Sequence, residues 1–172
     1  MNAGLIIDII FGCILAFFVI RGIFRGFSGE IIGLVGLLVS VFCAWNFTDR
    51  ATEMFLKYLP SFDKTLAALV CAIVIFFAVE IIFAIIGFVL SFAVSAAKLS
   101  FLDHLLGIVT GALKTACIIL FVYALCVTFP TILPTDWMKD SYTMKYSEQV
   151  WPAIRDFLES HGLMNLSALA GK

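Results

Sequence analysis

Four continuous apolar runs, at residues 3–20, 27–47, 66–92 and 105–129, decide what this chain can fold into. Each is close to the ~20 helical residues needed to cross a hydrocarbon layer about 30 Å thick. In lipid a backbone must satisfy its own hydrogen bonds, which leaves only helices and closed barrels. A barrel is written in alternating segments of ~10 residues, and these uninterrupted runs are not that. The sequence therefore predicts an all-α membrane protein with four transmembrane helices plus short interfacial amphipathic helices. Composition agrees: 63% of the 172 residues are hydrophobic and 13% charged, against about 45–50% and about 25% in soluble domains. That much apolar surface cannot be hidden in one small core and must face lipid.

The first run has no basic segment before it, carries Asp8 early and shows no small-residue cleavage site, so it reads as a retained helix rather than a secretory signal. The stretch Arg21-Gly22-Ile23-Phe24-Arg25-Gly26 is short enough to force the first two helices into an antiparallel hairpin. After the second run, Ala51, Met54, Phe55, Tyr58 and Leu59 recur at helical spacing opposite Glu53 and Lys57. This predicts a short interfacial helix, capped by Thr48 or Asp49 and ended by Pro60. Beyond Phe129 the composition turns polar, and Val150, Trp151, Ile154, Phe157 and Leu158 form a second amphipathic stripe with Pro152 expected in its first turn. The chain thus divides into a four-helix unit, 1–129, and an amphipathic tail, 130–172.

With 11 Lys and Arg against 12 Asp and Glu, there is no basic excess to gather phosphates, and nucleic acid is not an expected partner. The bilayer is, and homo-oligomers or other membrane proteins are the protein partners to expect. Cys13, Cys43, Cys71, Cys117 and Cys126 all lie in apolar runs without metal or redox spacing, and no cofactor or metal is implied. There is no GxSxG, HExxH or P-loop, and His104 and His161 have no ligand-spaced companions. No enzyme is expected, and His104 beside Asp103 reads as an anchor at the start of the fourth helix.

What remains for function is charge and glycine. Asp8, Glu30, Glu80, Asp103 and Lys114 are embedded in or abut the spans, where each costs about 2.5–3.5 kcal/mol at a helix centre and so turns inward to pair. Glu80 and Lys114 are both deep, and an intramembrane ion pair between them is the expectation, with snorkelling of Lys114 as the alternative. Arg21 and Arg25 flank the hairpin turn and either anchor it in the interface or bind an anionic lipid or partner. Asp8 reads as a cap or pairing residue at the loop side. Gly22, Gly26, Gly29, Gly33 and Gly36 recur at spacings of four and three, and Gly107 and Gly111 form a GxxxG on the fourth helix. A close contact between the second and fourth helices follows, with self-association as the alternative. Counting Lys and Arg does not decide which face is cytoplasmic.

Two segments, Arg21-Gly22-Ile23-Phe24-Arg25-Gly26-Phe27-Ser28-Gly29-Glu30 and Leu102-Asp103-His104-Leu105-Leu106-Gly107-Ile108-Val109-Thr110-Gly111-Ala112-Leu113-Lys114, together with Asp8, resemble the colicin V production protein family of bacterial inner membranes. The likeness runs from about Asp8 to Phe129. Asp8, Arg25, Gly26, Glu30, Asp103, Gly107, Gly111 and Lys114 stand at the family's positions, while His104 stands where the family often has Arg. The resemblance implies a multi-pass accessory protein of toxin production or export and of envelope maintenance. In related proteins an extracytoplasmic protease domain follows the module, which implies both termini outside and the arginine turn inside. The rival reading is a small oligomeric channel or proton-coupled transporter using Glu30, Glu80 and Lys114.

Overall fold

A computed structural model of the protein describes residues 3–94, 101–133 and 135–161. Its spanning helices are α1 (Ala3–Phe27) and α2 (Glu30–Tyr58), α3 (Lys64–Val94) and α4 (Phe101–Thr128). A 3-10 turn (Asp136–Asp140) leads into α5 (Tyr142–Ser160). No strand occurs among the described residues. All four long helices are apolar enough to cross a membrane, as the runs predicted. The end of the expected tail, residues 162–172, lies outside the described residues.

The hairpin between α1 and α2 turns on one residue. Gly26 has φ 71° and ψ 171°, while helix continues on both sides. Positive φ is open to glycine without the Cβ clash other residues meet, so a reversal this tight needs glycine here. Side-by-side contacts then fix every direction. Gly22 lies against Gly107, and Phe18 against Gly111, while Phe11 shares a cluster with Tyr123, so α1 and α4 are antiparallel. Gly33 meets Lys114 and Trp45 meets Ala124, so α2 and α4 are parallel. Gly36 meets Phe83, Ile32 meets Gly87 and Ser40 meets Glu80, so α3 returns antiparallel to α2. The bundle runs up, down, up and down, with α2 and α4 inside. They bury 39% and 33% of their apolar windows, against 11% for α1 and 22% for α3.

The largest core cluster joins Leu37 and Ala44 of α2, Ala72 and Phe76 of α3, and Phe121 and Leu125 of α4. Phe76 and Phe121 stack at 4.3 Å between centroids. Helix α3 begins on an Asp63 carboxylate that accepts from the Leu66 amide at 2.8 Å, a side-chain N-cap for an orphan backbone donor.

Two expectations about helix ends are corrected. No separate interfacial helix follows α2. Thr48 donates to the Ala44 carbonyl and Thr52 to the Thr48 carbonyl at 2.7 Å, so both hydroxyls are satisfied inside one continuous helix instead of capping a new one. The 29 residues of α2 extend about 43 Å at 1.5 Å per residue, well past the hydrocarbon layer. The amphipathic stripe after residue 50 is its protruding end. Likewise α5 starts at Tyr142, not near Trp151, which puts Pro152 inside the helix. The ring removes the hydrogen bond to the Glu148 carbonyl, and both residues are exposed.

Candidate functional site

Where α1 turns into α2, three cations converge on one carboxylate. Glu30, at the head of α2, is fully buried, with 0% of its surface exposed. Lys114 Nζ lies 2.5 Å from its Oε2, Arg21 Nε 3.1 Å from its Oε1, and Arg25 Nη1 3.8 Å from the same oxygen. Isolated charges in such a place would be driven out or neutralised, and only mutual pairing keeps them.

Local sequence explains how each arrives. Arg21 and Arg25 are one turn apart on α1, so both side chains leave the same face just before the break at Gly26. Lys114 comes from α4, about 10 Å along that helix from Gly107, which sits beside Gly22 and Gly26 at the level of the turn. The site therefore lies inside the bundle. Gly33 makes the approach possible, because a Cβ there would overlap Lys114 Nζ. The ammonium also stands 5.8 Å from the Phe18 ring centroid, a distance at which the ring face attracts a cation. Arg25 Nη2 reaches the Gly87 carbonyl at 3.4 Å, so the charged cluster touches all four spanning helices.

The expected pair of Glu80 with Lys114 does not form. Lys114 is taken by Glu30, and Glu80 meets the Ser40 hydroxyl at 3.3 Å, within electrostatic reach of Lys114 and Arg21 but bonded to neither. Nor do the glycines make one α2–α4 seam. The Gly107–Gly111 pair packs on α1, against Gly22 and the backbone of Phe18 and Val19; Gly33 admits Lys114, and Gly36 admits Phe83 of α3. The turn at Gly26 splits the stripe between two helices, so its members face different neighbours. Gly29 lies outside the residues whose surroundings the structure describes. Asp103 sits in the first turn of α4, where a carboxylate meets the positive end of the helix dipole. His104 Nδ1 pairs with the Ile23 carbonyl at the end of α1.

The opposite end of the bundle holds a second carboxylate. Asp8 accepts from Ser141 Oγ at 2.6 Å, from the amides of Tyr142 at 2.9 Å and Thr143 at 3.1 Å, and from Thr143 Oγ1 at 2.7 Å. It is the cap the sequence allowed for, and the helix it caps is α5. Gly4 lies directly under the backbone of Asp140 and Ser141. Ser141 and Thr143 were not singled out from sequence; the visible signal was a hydroxyl residue one position before a helix start.

A family model, colicin V production protein, matches residues 7–152. The chain belongs to the colicin V production protein family. A relative in Haemophilus influenzae, described as a colicin V production protein homolog, is 30% identical over 136 residues, covering 78% of this chain and 81% of that protein. No solved structure matches the chain. The family match spans Asp8, the Glu30 cluster and most of α5, and so extends past Phe129, where the sequence motifs stopped.

Proposed function

We propose that this chain is a multi-pass accessory protein of toxin production or export and of envelope maintenance in a bacterial inner membrane, and that it is not an enzyme. The observation that carries this reading, beside the family, is how the Glu30 cluster is built. Both carboxylate oxygens face cations delivered from α1 and α4, Oε2 through a hydrogen bond from Lys114 and Oε1 through charge alone. A group so occupied holds helices together and is not offered to a substrate. Its partners are the bilayer and other membrane proteins or further copies of itself. Charge counting leaves orientation open, and the reading that puts the arginine turn on the cytoplasmic side rests on the resemblance to proteins in which an extracytoplasmic domain follows this module. With four spans, both termini then lie outside.

The test is complementation of the envelope-stress and toxin-production defects of a deletion strain, with membrane levels measured in parallel. Wild type and Glu80→Gln are expected to complement, and Glu30→Gln to fail together with a loss of membrane protein. A Glu80→Gln chain that inserts at normal level yet fails would overturn the accessory reading in favour of transport. Cysteine labelling from either side at Tyr58 and Phe24 checks the orientation.

A further inference from the structure

Between α2, α4 and α5 lies a cavity of about 460 Å³. Helix α5 forms its outer wall. Its first turn is clamped by Asp8, Met144 is buried with Phe11 and Tyr123, and Trp151 meets the Tyr123 ring edge at 5.9 Å. Past Trp151 the apolar side of α5 borders the cavity together with Leu120 of α4, and Leu158 packs back on Trp45 and Ala124. Leu38 and Phe42 of α2 line the same space and remain 53% and 41% exposed. Both lie well inside the spanning segment, so the mouth opens sideways, toward hydrocarbon.

The lining has no ionisable carboxylate, lysine, arginine or histidine, which excludes a charged solute. Its volume is about three times the ~150 Å³ of an apolar void that takes up benzene, and lies in the ~300–1,000 Å³ range of ligand pockets. The indole N–H of Trp45, a residue that borders the cavity, is buried and meets no acceptor among the described residues.

We propose that this cavity seats an acyl chain of a membrane glycerophospholipid, with α5 as its outer wall. The part of the apolar face of α5 that borders the cavity is then completed by lipid. The experiment uses the full chain reconstituted in phosphatidylethanolamine and phosphatidylglycerol vesicles, extracted in mild detergent and weighed by native mass spectrometry. Wild type is expected to retain one diacyl phospholipid per chain. Leu120→Trp and Leu158→Trp, which fill the space from opposite walls, are expected to retain about tenfold less. Phe88→Ala, on the outer face of α3, is expected to retain as much as wild type. Leu158 is on the peripheral helix, so that variant remains informative if Leu120→Trp fails to fold. Wild type without lipid, retention unchanged in a folded filled variant, or retention of free fatty acid alone overturns the proposal.

Discussion

The two ends of the bundle each hold a carboxylate, and they hold it by different means. At the arginine turn, Glu30 is wholly buried and is met by three full charges. At the far end, Asp8 is met by two hydroxyls and two amides at the start of α5, and by no cation among the described residues. The difference follows from where each sits. Glu30 is cut off from the surface, so counter-charges must answer it, and losing the carboxylate strands the rest. At a helix N-terminus, backbone donors and the dipole suffice, and their individual contributions are small. One end is therefore a lock on the four spans, the other a latch on a surface helix.

The sharpest way to break this comparison is Glu30→Gln. It leaves Lys114, Arg21 and Arg25 converging on a neutral amide, with Lys114 only 5% exposed. Breaking a buried pair from one side costs about 3–5 kcal/mol, enough to remove most folded protein from the membrane, as thermal unfolding in detergent and immunoblot would show. Adding Lys114→Met to Glu30→Gln is expected to recover part of the loss, a coupling that a double-mutant cycle measures directly. If the single and double variants were equally unstable, the cluster would not be the lock.

Next comes Gly107→Ala. Its Cβ would run into the carbonyl of Gly22, a backbone atom that cannot swing aside as a side chain would. Overpacking of this kind costs about 1–3 kcal/mol, and the expected result is a lowered unfolding temperature with α1 and α4 spread apart. Gly12→Ala, where a Cβ meets nothing within 4 Å, is the matched control and should be silent. The latch follows: Asp8→Asn keeps one acceptor and loses the charge, for about 1 kcal/mol. That loss should stay local, as faster hydrogen exchange in α5 with the spans unaffected. If the spans loosen equally, the two ends are one cooperative unit.

How much of this was legible follows from the same physics. Helix number and direction could be read because lipid leaves a chain so few options, and the tight turn because arginine and glycine occupy it. Glu30, Lys114 and Asp8 could be named because ionisable groups in a span must be answered. Their partners could not. Residue counting gives depth along a helix but not rotation about its axis, and Lys114 turns toward Glu30 because Gly33 leaves room there, a fact of three-dimensional packing. Ser141 and Thr143 are far from Asp8 in sequence, and the start of α5 was hidden because Pro152 looked like a beginning.

The smallest effect is expected at Glu80, the residue that sequence depth made most prominent. Ser40 has a single hydroxyl hydrogen, and its shorter contact is with the Gly36 carbonyl, 2.7 Å against 3.3 Å to Glu80. Glu80 thus receives the weaker share of one donor, and its side chain is only half-buried. Glu80→Gln keeps an acceptor oxygen for Ser40 and removes a charge from a span. The stability change should stay below about 0.5 kcal/mol, or turn favourable, because an amide is cheaper to hold near lipid than a carboxylate. Unfolding curves of Glu80→Gln and Glu30→Gln run side by side decide it. Near-superposition of Glu80→Gln on wild type separates an acid that stands in a membrane from one that holds it together, and a drop comparable to Glu30→Gln would make Glu80 part of the lock.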